Sequence, residues 1–208
     1  MSDSLPHAPA PHRLRAIVGE FIPTIIVLLL LTAARSSFAN HYVVPSGSME
    51  HALMPGDRVI VDMSAYGVRV PFTDTVVVTG DQPARGEVVV FDSPVDGTRL
   101  IKRVVAIAGD RVSLRRGRLT VNGESLATGY MSDIERIGTR EVRLNLAHGG
   151  GPDIEDQVIP EGKVLVLGDH RGNSQDGRMY GLVAADTLYA RALAVYWRSG
   201  YGLVWKRL

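Results

Sequence analysis

The stretch "RLIKRVVAIAG", residues 99–109, alternates as a strand does, and one residue on it is out of place. Side chains two positions apart share a face of a strand, so Leu100, Lys102, Val104 and Ala106 fall on one side. Ile101, Arg103, Val105 and Ile107 fall on the other. A lone lysine on an apolar strand face either snorkels at a sheet edge or is desolvated for chemistry. Outward from it, "DRVIVD" (57–62), "GEVVVFD" (86–92), "RVSLR" (111–115), "KVLVLG" (163–168) and "RALAVYW" (191–197) are rich in valine and leucine. Most are bounded by glycine, proline or aspartate, the punctuation of short strands. Helical periodicity is scarce beyond residue 40, and the fold class is mainly β.

"RLTVNGESL" (118–126) holds Asn122-Gly123, a strong signal for a two-residue hairpin turn. Residues 124–160 are more polar and glycine-rich, so about 111–160 reads as an inserted, hairpin-bearing β subdomain on the main β core.

The N-terminus is of another kind. Residues 1–15 are polar, carry prolines and end with Arg13 and Arg15. The apolar segment "AIVGEFIPTIIVLLLLTAA" (16–34) follows. A core helix fits poorly, because Ile25 to Leu31 has no polar face. A cleaved signal peptide fits, with "SFA" (37–39) as a small-x-small cleavage site. An uncleaved anchor fits equally well, since the segment nearly reaches the ~20 residues that span a bilayer. In either case Arg13 and Arg15 outweigh Arg35, which favours an N-terminus inside and the remainder outside.

The totals exclude several kinds of chemistry. A formal net charge of +1 gives no electrostatic case for nucleic-acid binding. With no cysteine there are no disulfides, thiol nucleophiles or zinc-thiolate sites. The histidines show no metal-ligand spacing, so neither metal nor cofactor is expected. The basic residues are almost all arginine, which stays protonated and cannot serve as a base. The lysines are Lys102, Lys163 and Lys206 alone, and the last two are expected at the surface.

"VVPSGSMEH" (43–51) places Ser48 fourteen residues beyond Ala34. A loop serine commonly decorates a turn, and Pro-Ser-Gly-Ser is good turn chemistry. To become a nucleophile it needs a base. His51 is too close in sequence to aim back easily, and His170 sits in a polar loop; both are expected at the surface. Lys102 can serve if burial holds its pKa down. "GDHRGNSQDGR" (168–178) is either a surface loop of turns and salt bridges or a loop folded over a site.

Together, "PSGSM" (45–49), "IKRVVAIAGD" (101–110) and "GDHRGNSQDGR" resemble the bacterial type I signal peptidase (leader peptidase) family, membrane-anchored serine proteases with a Ser-Lys dyad. "RGEVVVF" (85–91) matches a fourth, structural motif, and "AYGVRVP" (65–71) is similar to proteobacterial members. The order and spacing agree from about Ser37 to the C-terminus. The resemblance implies Ser48 as nucleophile and Lys102 as general base. It implies Ser46 in the oxyanion hole, Ser174 orienting the lysine, and Arg103, Asp176 and Arg178 as a supporting network. Val44, Met49, Leu53 and Ile101 fall where the family lines its pockets for small residues. Two departures bear on the loops. The family's Pro-Thr after the nucleophile is His51-Ala52 here, and His170, Gly172 and Gly177 replace an asparagine, an aspartate and a serine.

The implied organisation is a cytoplasmic tail (1–15), a transmembrane anchor (16–36) and an extracytoplasmic catalytic domain (37–208). The implied place is the bacterial cytoplasmic (inner) membrane, single pass, with the catalytic domain on the periplasmic side. The implied partners are signal peptides of exported preproteins and membrane lipid, and no cofactor is implied. Three other readings stay open. One is a specialised member of the same family that matures pilus or conjugation proteins. Another is a self-cleaving repressor with a Ser-Lys dyad, which would need a DNA-binding helical domain where the apolar segment stands. The third is a membrane-tethered β domain that binds without catalysis.

Overall fold

The computed structural model describes residues 21–28, 39–69, 76–130 and 132–208. The expected tail, and the expected anchor apart from residues 21–28, lie outside them. Residues 21–28 are helical and exposed. Among the described residues no helix is long and apolar enough to cross a membrane.

The rest is mainly β. In chain order the strands begin with β1 (Ala39–Val43), β2 (Arg58–Asp62), β3 (Gly67–Arg69), β4 (Val76–Thr79), β5 (Val88–Asp92) and β6 (Arg99–Ile107). Next come β7 (Arg111–Arg115), β8 (Arg118–Val121), β9 (Glu124–Ser125), β10 (Ile134–Ile137), β11 (Arg140–Arg143) and β12 (Ile154–Val158). Closing the order are β13 (Lys163–Leu167), β14 (Val183–Ala184), β15 (Leu188–Arg198) and β16 (Gly202–Arg207). The main sheet runs β1-β2-β15-β5-β6-β13-β14, with β16 also on β15. Its pairings are all antiparallel. Arg191 pairs with both β2 and β5, and Ala194 with both β2 and β16. Since a strand has two edges, β15 therefore carries β2 along one of them and β5 then β16 along the other.

Between the neighbours β6 and β13 the chain makes its excursion. β12-β7-β8-β9 form a small sheet and β10-β11 a hairpin. Asn122 and Gly123 both have positive φ, 54° and 83°, as a tight primed turn demands, and Val121 faces Glu124 across it. The excursion does not stand apart from the main sheet. Val112, Leu114, Leu119, Val121, Ile137 and Val142 share one buried cluster with Val105 of β6 and with Leu165 and Leu167 of β13. At roughly 1.5–3 kcal/mol per fully buried apolar side chain, this shared core fastens the excursion to the sheet that carries the candidate site.

The alternation read on β6 holds only as far as Val104. Val104 pairs with Val166 and Ala106 with Leu165, so two steps on β6 match one step on β13. Such a bulge adds a residue and exchanges the faces beyond it. Ile107 therefore packs in the cluster of Leu100 and Val104, while Ala106 packs with Val105.

Candidate active site

The residues from Val44 to Asp57 leave β1 and return to β2 as a closed loop. Val44 N donates to Asp57 O at 2.9 Å, and Gly56 N donates to Val44 O at 2.8 Å. The fully buried Asp57 carboxylate accepts from Met54 N and from Arg198, fixing the loop's base. Within the loop, Glu50 N donates to Gly47 O (3.1 Å) and Leu53 N to Met49 O (2.8 Å), making a tight turn around Ser48. From outside, Lys206 Nζ donates to the carbonyls of both His51 and Ala52. Lys206 is exposed, as expected, but its tether to this loop had no sequence signal.

This turn sets Ser48, 8% exposed, against Lys102, 3% exposed, and Lys102 Nζ lies 2.7 Å from Ser48 Oγ. Lys102 projects from β6 opposite Val89 of β5. Burial pushes its ammonium down from 10.5 to about 8, with Arg178 pushing the same way, against the pull of Asp176 and Asp169. Those carboxylates do not bring the pKa back to its ordinary value; each is already held by an arginine. Asp169 is bound bidentately by Arg103 (2.9 and 2.7 Å), and Asp176 by Arg178 (2.7 and 2.8 Å).

A buried cation with a depressed pKa destabilises the fold. Below pH 8 Lys102 is protonated in both folded and unfolded chains, and the folded form bears the full cost of desolvation. Between pH 8 and 10.5 only the unfolded chain holds that proton, so stability rises with pH. Lys102→Met is therefore expected to stabilise the protein at pH 7 by on the order of 3 kcal/mol, with the gain vanishing above pH 10.5. Urea unfolding of both forms at pH 7 and 10.5 checks this, and equal stability at pH 7 would refute it.

The other predicted residues gather around this pair to different degrees. Ser46 Oγ is 3.5 Å from Ser48 Oγ, and the residue is exposed. Arg103, on the opposite face of β6, also donates to Gly86 O. Asp176 caps the helical turn Gly177–Tyr180 and accepts from Gly168 N (2.9 Å). Arg178 reaches Gly150 O of the excursion. Val44, Met49, Leu53 and Ile101 belong to one cluster, with Met49 and Leu53 fully buried and Ile101 only partly so. Ser174 differs from the expectation: its Oγ makes no hydrogen bond to Lys102 and is buried without a partner among the described residues. Its Oγ lies instead 2.3 Å from where a Cβ on Gly168 would sit, and Ser48 O lies 2.5 Å from the same point. Only glycine at 168 lets the serine and the Ser48 carbonyl come this close.

Of the two histidines expected at the surface, His51 is exposed. His170 is not; at 3% exposure it is packed behind the Ser48 turn. Arg171, fully buried, pairs with the equally buried Glu135 of β10 at 2.8 Å and donates to Gly168 O. Sequence reading missed this pair. The only signal available was a glutamate in an apolar, strand-like stretch.

A serine hydroxyl hydrogen-bonded to a dry lysine, on an antiparallel β scaffold, is the equipment of a serine hydrolase that uses lysine where others use histidine. The family follows from comparison with known proteins. The chain belongs to the signal peptidase family, peptidase S26, whose model matches residues 18–197. It is 32% identical over 202 residues to signal peptidase I of Pseudomonas aeruginosa, covering 85% of this chain and 70% of that protein. Signal peptidase I of Pseudomonas fluorescens is 31% identical with the same coverage. A probable signal peptidase I-2 of Synechocystis is 30% identical, covering 86% of this chain and 72% of that one.

Proposed function

We propose that this protein removes signal peptides from exported preproteins as an endopeptidase, with Ser48 as nucleophile and Lys102 as general base. The observation that carries the reading is the 2.7 Å contact between Lys102 Nζ and Ser48 Oγ in a site dry enough to hold the lysine near pKa 8. Neutral Nζ accepts the hydroxyl proton as Oγ attacks the scissile carbonyl. The carbonyl oxygen becomes an oxyanion, to which Ser48 N–H and Ser46 O–H donate. The resulting ammonium returns its proton to the departing amine, leaving an ester on Ser48. Lys102, neutral again, activates the water that hydrolyses the ester. Ser174, whose hydroxyl has no partner among the described residues, has its oxygen free to accept an N–H of neutral Lys102 and so turn the nitrogen's lone pair toward Ser48 once substrate settles the site.

Specificity is assigned to the apolar cluster beside the nucleophile. To Val44, Met49, Leu53 and Ile101, which share one apolar cluster beside Ser48, we assign the shallow pockets that take small side chains at substrate positions −1 and −3. One methylene is worth only ~1–3 kcal/mol in such a pocket, so selectivity comes from steric exclusion of larger groups. Residues 16–36 anchor the chain in the inner membrane, holding Ser48 just outside the bilayer where signal peptides are cut.

One experiment tests substrate and anchor together. Carbonate-washed membranes bearing the full chain are expected to cut a preprotein after Ala-x-Ala and to leave a Phe at −1 essentially uncut. Equal cutting of both would reject the pocket assignment. Activity recovered in the carbonate supernatant would reject the anchor.

A further inference from the structure

His170 is buried against the very turn that carries Ser48, and its contacts fall on the two peptide units that flank that serine. Its backbone N–H donates to Ser48 O at 3.1 Å. Its ring Nδ1 lies 3.3 Å from Gly47 O and 3.4 Å from Glu50 Oε2. On the far side, Nε2 lies 2.9 Å from Nδ1 of His148, an exposed residue of the excursion. Asn145 completes the frame. Its side chain donates to Glu50 Oε2 (3.2 Å), and its backbone takes Asp169 O and Arg171 N on either side of His170.

The partners dictate the tautomers. A carbonyl and a carboxylate only accept, so Nδ1 of His170 carries the hydrogen and shares it between them; both contacts are accordingly long. In the neutral ring Nε2 is then an acceptor, and His148 donates to it from its Nδ1. The chain of donors runs from the surface inward, His148 to His170 to Gly47 and Glu50.

The peptide plane makes this matter. Gly47 C=O and Ser48 N–H belong to one rigid unit and point in opposite directions. Holding the carbonyl therefore aims the N–H. We infer that His170 is a positioning residue for the reaction: with His148 behind it, it clamps the Gly47–Ser48 peptide so that Ser48 N–H faces the developing oxyanion. This rests on the reading of Ser48 as nucleophile. Among the described residues no hydrogen bond or ion pair joins His170 to Lys102 or to Ser48 Oγ, and it acts as no base.

The test is steady-state cleavage of one preprotein by the full chain. Losing a whole oxyanion donor costs about 100–1000-fold, so a donor left in place but misaimed is expected to cost about 10-fold in kcat. His170→Leu should show that loss with KM nearly unchanged and with its pH midpoint still at Lys102's value of about 8. His170→Asn offers an amide nitrogen at the Nδ1 position and should recover activity to within about threefold of wild type. His148→Ala, at an exposed site, should cost a few-fold in the wild type and nothing in the His170→Asn background, which has no Nε2 to lose. Full activity in folded His170→Leu, asparagine no better than leucine, or an unconditional His148 effect would each overturn the clamp. Ser48→Ala and Lys102→Ala run beside them. If those stay active, the dyad reading fails; if they are dead while His170→Leu is fully active, only the clamp fails.

Discussion

Lys102→Arg is expected to be as inactive as Lys102→Ala, at least about a thousandfold below wild type, because a guanidinium keeps the charge but offers no proton acceptor near neutral pH. Wild-type activity should rise tenfold per pH unit on the acid side and level off above a midpoint near 8, where burial has placed the lysine. The sign is fixed by the role. A base works when neutral, so activity climbs as the proton leaves. At pH 7.5 roughly a quarter of the enzyme holds neutral lysine, against about 0.1% at the unperturbed value. The same burial that destabilises the fold below pH 8 thus supplies the base. His51→Ala should change little, since that ring is exposed and the loop is held through its backbone carbonyl by Lys206. The decisive measurement is initial rate of preprotein cleavage from pH 6 to 10 for wild type, Lys102→Arg and Lys102→Ala. A working arginine variant would end the Ser-Lys mechanism.

What sequence could reveal here was local, or set by one residue breaking a pattern. The Asn122-Gly123 hairpin was legible because its turn chemistry lies in two adjacent residues. Lys102 was legible because it interrupts an apolar strand face, and the mainly β class because valine-rich segments recur between turn residues. The β6 bulge was not, since register depends on hydrogen bonds to β13, about sixty residues away. His170 was read as surface because glycine, aspartate and asparagine around it describe turns equally well in solvent or under a covering element. The covering element is the excursion, and no local pattern announces where that packs. Ser174 shows the converse. Its position beside Ser48 O is enforced by Gly168, but a hydrogen bond to Lys102 could not be read from spacing and is not made.

Beside the shared apolar core, the Arg171–Glu135 pair ties the excursion to the site, and breaking it should cost more stability than any other single change considered. Both side chains are buried, at 1% and 0% exposure. Arg171 also donates to the carbonyls of Gly168 and Gly117, and Glu135 accepts Leu119 N at 2.7 Å. Removing one member of such a pair leaves an uncompensated buried charge, worth about 3–5 kcal/mol. Glu135→Ala is therefore expected to lower Tm by about 10 °C or more. Glu141→Ala, which breaks the exposed Arg136–Glu141 contact next to it in the same hairpin, should stay within about 1 kcal/mol of wild type. Replacing both buried partners, Glu135→Leu with Arg171→Met, removes both charges and should restore much of the loss, since apolar substitutes of similar volume are often neutral. Activity need not follow stability in that double variant. Gly168 O would still lack its Arg171 donor, and Gly168 packs directly against Ser48 O and Ser174. Thermal melts and cleavage rates of the four proteins separate the two effects. If Glu135→Ala melts no lower than Glu141→Ala, the buried pair does not fasten the excursion to the site.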